Sequence, residues 1–200
     1  MIQAVAFDLG KVLVDFDYGI AARNIAARSK VNALELARII AQTPLMVDLE
    51  MGLITSEQFY RESCALTGFG GSLEEFAHLF GDIFVAIEPM VELHATLRRR
   101  GMPTFIFSNT NDLSIRHIRK SFPFFSLFDG YVLSYQHGAM KPDAKLYEVL
   151  ERLAGRRGAE ILYIDDRPEN VAAGAARGWQ VILQETPEKT RAAMEKLGVL

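Results

Sequence analysis

Four short polar segments stand at or near the ends of apolar runs, and their residue types could together handle a phosphoryl group. Asp8 closes the run in AVAFDLGKVLVD, Ser108 the run in TFIFSNTND, and the pair Asp165–Asp166 the run in ILYIDDRPEN. Lys141, in GAMKPDAKLYE, follows a weaker run, Tyr131 to Leu133, by one short loop. A carboxylate such as Asp8 can attack phosphorus and form an aspartyl-phosphate. Two adjacent carboxylates repel unless a cation or hydrogen-bond donors compensate them, and Mg2+ takes one or two such oxygens together with a substrate phosphate. The Ser108 hydroxyl, the amides of the Leu9-Gly10 and Asn109-Thr110 turns and the Lys141 ammonium could then neutralise phosphate oxygens. Singly, each segment has an ordinary reading. Asp8 before Leu9-Gly10 is a common turn, Asp165–Asp166 a solvated bend before Pro168, Ser108-Asn109 a loop or helix cap, and Lys141 a surface residue. Their joint occurrence in this order, at the same end of each strand, argues for one site.

Such a site requires the strands to share a sheet. The runs Ile2–Phe7, Thr104–Phe107, Tyr131–Leu133, Ile161–Ile164 and Gln180–Leu183 are short and mostly apolar on both faces, and helical segments separate them. That is how a buried parallel sheet reads, and ligands bind such sheets beyond the carboxyl ends of the strands. Helices fit a segment starting at Pro89 and stopped by Gly101, then Asp112–Lys120, Asp143–Ala154, Glu169–Arg177 and Pro187–Lys196. Residues 16–87 differ. They show no convincing strand, capping-box starts at Thr55-Gln58 and Ser72-Glu75, a further start at Asn32 with Glu35, and helical spacing of Leu73, Phe76, Phe80, Ile83, Phe84 and Ile87. The fold expected is therefore α/β, a Rossmann-like parallel sheet core formed by 1–15 and 88–200, with a small α-helical cap, 16–87, inserted after the first strand. A crossover needs only a dozen or so residues, so an insertion of this length beside Asp8 reads as a lid.

Composition narrows the partners. The chain has 200 residues, half of them hydrophobic, and a net charge of −3. It can bury a full core, and it lacks the basic footprint of a nucleic-acid binder. The start Met1-Ile2-Gln3 has no basic leader, and no apolar run approaches the ~20 residues that span a bilayer. The single cysteine, Cys64, makes no internal disulfide and reads as a small helix residue. A soluble, cytoplasmic protein is expected, monomer or homodimer, with a small phosphorylated substrate and neither nucleic acid nor membrane as partner. His78, His94 and His117 have no second ligand at a fixed spacing, so they read as surface or half-buried residues rather than a zinc site.

FDLGKVLVD, FSNTN, KPDAKLYE and YIDDRPENV resemble, in order, the four signature motifs of the haloacid dehalogenase-like hydrolases, along the whole chain. Within that superfamily the chain is similar to bacterial α-D-glucose-1-phosphate phosphatases and to the phosphatase domain of soluble epoxide hydrolases. The cap stretch Glu50-Met51-Gly52-Leu53-Ile54-Thr55 followed by Phe59 shares this likeness. The resemblance implies a Mg2+-dependent phosphomonoester hydrolase acting on a small metabolite, a sugar phosphate by subgroup. It implies Asp8 as nucleophile and metal ligand, the Gly10 carbonyl and Asp166 as direct ligands, and Asp165 as a ligand directly or through water. It further implies that Ser108, Asn109, Lys141 and the amides of Leu9 and Gly10 hold the phosphoryl group, with Asn170 orienting Lys141 or the acidic pair. In the cap, Tyr18, Arg23 and Glu50 are candidates for reading the substrate.

One position departs from the pattern. The superfamily's phosphatases carry a second Asp two residues after the nucleophile, which protonates the leaving group and later activates water; here that residue is Gly10. General acid–base help is typically worth ~10²–10⁴-fold. Three readings follow: a phosphatase that tolerates the loss, as the DLG of the glucose-1-phosphatase-like subgroup suggests; a non-catalytic relative that binds a phosphorylated metabolite or a protein; or a dehalogenase, against which the Asp165–Asp166 pair speaks. A tolerant phosphatase would favour substrates with good leaving groups, such as glycosyl 1-phosphates. Asp15, Asp17 and His137 are candidate substitute proton carriers.

Overall fold

The computed structural model describes the backbone of residues 1–42 and 44–200, and the side chains of 1–39 and 44–200. The first strand, β1 (Ala4–Phe7), is followed by β2 (Val14–Phe16) and five helices: α1 (Tyr18–Ala26), α2 (Ala33–Gln42), α3 (Pro44–Glu50), α4 (Ser56–Thr67) and α5 (Leu73–Gly81). Then come β3 (Phe84–Ala86), α6 (Glu88–Arg99), β4 (Thr104–Ser108), α7 (Asp112–Ser121) and β5 (Gly130–Leu133). The chain finishes with α8 (Ala144–Ala154), β6 (Ile161–Asp165), α9 (Pro168–Ala176), β7 (Gln180–Leu183) and α10 (Pro187–Lys196).

Five of the strands form one parallel sheet in the order β5-β4-β1-β6-β7. Phe7 of β1 pairs with Ile106 of β4 on one side and Ile164 of β6 on the other. The chain builds outward from β1 through β4 to β5, then crosses back to place β6 and β7 on the other side. This reversal makes β1 the switch point where such sheets open a crevice. The register brings the ends of β1, β4 and β6 level, so Asp8, Ser108 and Asp165 emerge on the same edge. Every residue of β1 and β6 is buried, because helices cover both faces of the sheet. One face packs Phe7, Ile106, Leu162 and Ile164 against α6, α7 and α10, and the other packs Phe107, Tyr147, Tyr163 and Trp179 together. All five expected strands and the five helices expected around them are present, with ends moved by no more than about two residues.

Helices α1–α5 gather around a separate apolar cluster that includes Ala21, Ile25, Leu36, Phe59, Phe76 and Phe80, joined by Leu113 of α7. The caps read in the sequence do the work expected of them. Thr55 and Gln58 close a reciprocal capping box on α4, Ser72 accepts from the Glu75 N–H on α5, and Asn32 accepts from the Leu34 and Glu35 N–H groups. The segment does contain strands, contrary to its sequence pattern. Val14–Phe16 and Phe84–Ala86 pair antiparallel as a two-stranded ribbon that carries the chain out of the core and back. Phe84 fitted the spacing of α5, but the helix ends at Gly81, and Phe84 instead pairs with Phe16 of β2. His94 also differs from expectation: it is 1% exposed, its Nε2 lies 3.1 Å from Thr104 Oγ1, and its ring stacks on Phe128. Among the described residues no helix is long and apolar enough to cross a membrane.

Candidate active site

Asp8 follows the last residue of β1, and its N–H continues the sheet by donating to the Ile164 carbonyl at 2.8 Å. Its carboxylate turns into a cleft of about 180 Å³ above the strand ends, where Oδ1 accepts the Leu9 N–H at 2.7 Å. The chain then reverses through Leu9-Gly10-Lys11, with Lys11 in a left-handed conformation (φ 58°) and the Leu9 carbonyl accepting from the Leu13 and Val14 N–H groups. The turn presents Leu9, Gly10 and Lys11 to the cleft.

Lys141 reaches this carboxylate from the loop after β5. Its Nζ lies 3.2 Å from Asp8 Oδ1 and 2.6 Å from Asp165 Oδ2, and it donates to the Phe107 carbonyl at 2.8 Å. An ammonium buried this deeply is tolerable only because three oxygens receive its protons. The loop that carries it is pinned to the end of β4: Asn109 Nδ2 donates to the Lys141 carbonyl at 3.0 Å, and the Lys141 N–H donates to Asn109 Oδ1 at 2.7 Å. Asn109 thus holds the lysine's backbone and lines the cleft beside Ser108 and Thr110.

The two acidic residues after β6 have different surroundings. Asp165 is fully buried, and donors enclose its carboxylate: Lys141 Nζ, the Tyr163 hydroxyl, the Arg167 N–H at 2.8 Å, and Asn170 Nδ2 at 3.1 and 3.2 Å. Burial works against its charge, but Lys141, Tyr163 and the Arg167 N–H outweigh it and hold the carboxyl below its ordinary range. Asp166 is half-buried and lines the cleft. Burial and the Asp165 charge raise its affinity for protons. Burial also pushes the Asp8 carboxyl well above its usual range; Lys141 pulls it down, and Asp165 pushes it up again. Oxygens of Asp8, Asp165 and Asp166 approach within 4.8 Å of one another. Three carboxylates share one ammonium, so the site is short of positive charge. That deficit, among hard oxygen donors, is what a divalent cation such as Mg2+ relieves.

The chain matches the model of the haloacid dehalogenase-like hydrolases over residues 2–178. It belongs to that family. A sesquiterpene phosphatase of Aspergillus oryzae is 27% identical over 179 residues, 88% of this chain and 86% of the relative. A D-ribitol-5-phosphate phosphatase of Bacteroides thetaiotaomicron is 24% identical over 191 residues, 92% and 93% of the two chains. The crystal structure of a family enzyme from the same bacterium, in complex with magnesium and inorganic phosphate, superposes with a TM-score of 0.80 at 23% identity, covering 91% of this chain and 93% of that one. At that identity the likeness shows the fold alone.

The residues singled out from the sequence of this family member are unequally gathered. Asp8, Leu9, Gly10, Ser108, Asn109, Lys141, Asp166 and Asn170 line the cleft, and Asp165 lies behind them, bonded to both Lys141 and Asn170. From the helical segment, Tyr18 and Glu50 reach the cleft. Arg23 does not line it; the side chain is exposed and lies 3.7 Å from Asp17, the N-cap of α1. Of the candidate proton carriers, Asp15 pairs with Lys11 at the surface, which holds its carboxyl low, and Asp17 is spent on capping. His137 lies outside the cleft lining. Sequence reasoning missed Phe16, Ser114 and Arg167, which line the cleft, and Ser134, whose hydroxyl joins the loop after β4 to α3. Ser114 follows the Asn111 cap by three residues and donates its N–H to Asn111 Oδ1 at 2.9 Å, but nothing local marks its side chain for the cleft.

Proposed function

We propose that this protein is a Mg2+-dependent phosphomonoester hydrolase that acts on a small phosphorylated metabolite, of the sugar or sugar-alcohol phosphate class, through an aspartyl-phosphate on Asp8. The observation that carries the reading is the juxtaposition of Asp8 with Lys141 Nζ at 3.2 Å in a cleft that also holds Asp166 and the turn amides. The phosphatase relatives support the reaction, and the ribitol-5-phosphate phosphatase supports the substrate class. A cleft of about 180 Å³ with polar side chains on two walls suits a small hydroxylated ester.

Asp8, the Gly10 carbonyl and Asp166 would hold the Mg2+, with Asp165 behind them. When bound, the ion supplies positive charge to the carboxylates and to the phosphate oxygens. Lys141 and the Leu9-Gly10 amides then bind the phosphoryl oxygens and stabilise the charge they gain during transfer. Ser108 and Asn109 close the opposite side. Asp165, with Asn170 and Tyr163, keeps Lys141 aimed at Asp8. Residues 16–87 act as a cap over a core of 1–15 and 88–200, seated by the Ser134 hydroxyl and the Ser56–Asp112 hydrogen bond, and exclude bulk water during transfer. Phosphate release from a panel of phosphomonoesters, with Mg2+ and with EDTA, tests the proposal. Turnover that needs Mg2+ supports it, and none on any ester in folded, Mg2+-supplied protein would sink it.

A further inference from the structure

The reaction proposed above needs a proton for the departing ester oxygen and later a base for water, and Gly10 supplies neither. A Cβ at Gly10 would lie 2.7 Å from Phe16 Cε1, so the aromatic ring occupies the space where a side chain would begin. Asp15 and Asp17 are bound elsewhere, and His137 does not line the cleft. Besides Asp8 and Asp166, the one carboxyl among the described residues lining the cleft is Glu50.

Glu50 ends α3 and is held in place through its backbone. Its carbonyl lies 2.6 Å from Ser134 Oγ, which lies 3.0 Å from the Thr110 carbonyl and accepts the Thr110 N–H at 2.9 Å. The same Thr110 lines the cleft beside Ser108, so the glutamate is tied to the loop that receives the phosphate. Two residues on, Gly52 lets the turn after α3 pass against the core: with φ at +69°, a Cβ there would fall 2.0 Å from the Tyr135 carbonyl oxygen.

We propose that Glu50 is the proton carrier of the reaction, the role left vacant by Gly10. The inference rests on the phosphatase reading. In the first half-reaction an Asp8 oxygen bonds to phosphorus as the bond from phosphorus to the ester oxygen breaks. That oxygen keeps the electron pair and takes the Glu50 proton, and a neutral alcohol leaves. In the second, water attacks the aspartyl-phosphate while the Glu50 carboxylate takes a water proton. The bond from phosphorus to Asp8 breaks with its electrons returning to the carboxylate, leaving inorganic phosphate and protonated Glu50. Burial pushes the Glu50 carboxyl up to about 7 while Arg167 pulls it down, so both protonation states are accessible near neutrality. Burial and the neighbouring Glu50 raise Tyr18, which lines the same cleft as a neutral phenol.

The test is Glu50→Gln, which keeps shape and hydrogen bonding but carries no transferable acid proton, followed by rapid mixing with 4-nitrophenyl phosphate and with glycerol 3-phosphate. The nitrophenolate needs no proton to leave. The variant should release about one equivalent of it per enzyme at near wild-type speed, then turn over ~10²-fold more slowly because water is no longer activated. On glycerol 3-phosphate it should show no burst. Glu50→Asp, which restores an acid one methylene shorter, should recover part of both rates, and it carries the test should the Gln variant not fold. Unchanged steady-state rates in Glu50→Gln, or a first step slowed equally on the two esters, would overturn the role of Glu50 while leaving the phosphatase standing. Wild-type protein that releases no nitrophenolate with Mg2+ would overturn the phosphatase reading, and this inference with it.

Discussion

Filling the space above Gly10 should strain the chain through Phe16 alone. Gly10 is not among the glycines with positive φ, so its backbone accepts a side chain and the obstacle is the ring. Carbon atoms rest at about 3.5–4.0 Å, so a methyl placed 2.7 Å from Phe16 Cε1 drives the ring back by roughly 1 Å. The ring is held by a T-shaped contact with Tyr18 at 5.3 Å, a tilted one with Phe84 at 5.9 Å and the Lys11 ammonium at 4.9 Å. Aromatic contacts of this kind contribute ~0.5–1.5 kcal/mol each, and overpacking costs about 1–3 kcal/mol. Removing a glycine returns ~0.4–1 kcal/mol through the unfolded chain, which leaves Gly10→Ala about 1 kcal/mol less stable than wild type. Urea denaturation of Gly10→Ala, Phe16→Ala and the double variant isolates the clash, because the unfolded-chain contribution is common to both arms of the cycle. The two changes should couple by about 1 kcal/mol, the double variant being more stable than the sum of the singles predicts. Additivity within ~0.3 kcal/mol would refute the reasoning, and with it the claim that Phe16 bars an acid from position 10.

Other expectations are independent of that contact. His94, with an ordinary value of 6.5, is pushed down to about 4 by burial, assisted by Arg98 and opposed by Asp129. The unfolded chain therefore binds its proton more readily, so the stability it confers is full above pH 6.5 and is lost as pH falls toward 4. The whole shift corresponds to ~3 kcal/mol. Urea titrations at pH 7 and 4.5 should show a drop smaller by most of that amount in His94→Gln than in wild type. Gly52→Ala should lower both melting temperature and kcat on 4-nitrophenyl phosphate, the latter by tenfold or more, since misplacing a catalytic group by ~1 Å can cost 10²-fold. An unchanged kcat would show that the turn after α3 does not position the site. Asn170→Ala removes the amide that contacts both Asp165 oxygens and should destabilise by ~1–2 kcal/mol in thermal unfolding; a change within ~0.3 kcal/mol would show those bonds to be dispensable.

The sequence exposed the parts of this molecule that are local. Continuous apolar runs located β1, β4, β5, β6 and β7, and the polar residues that ended them located Asp8, Ser108, Lys141 and Asp166, because in a parallel sheet the strand end and the ligand crevice coincide. Capping chemistry located α4 and α5 in the same way. What stayed hidden depends on partners distant in the chain. Val14–Phe16 and Phe84–Ala86 are three residues each, too short for a period, and become strands only by pairing with each other. His94 reads as an ordinary helix residue until Thr104 and Phe128 enclose it. Asp165 and Asp166 look alike in YIDDRPEN, yet Tyr163, Lys141, Arg167 and Asn170 enclose the first and leave the second to the cleft. Tyr18, Arg23 and Glu50 are equal candidates in the sequence, and only the fold, with Ser134 tying α3 to the loop after β4, brings Tyr18 and Glu50 to the cleft and leaves Arg23 outside.

In the proposed reaction Asp8 attacks phosphorus. The most direct test of this step is phosphate release from 4-nitrophenyl phosphate and from sugar and sugar-alcohol phosphates by wild type and Asp8→Asn, each with Mg2+ and with EDTA. Asp8→Asn is expected to fold with unimpaired stability, because it removes one of three crowded carboxylates, and to show no turnover, while wild type turns over only with Mg2+. An Asp8→Asn protein that retained most of the wild-type rate would remove Asp8 as the nucleophile and contradict the account.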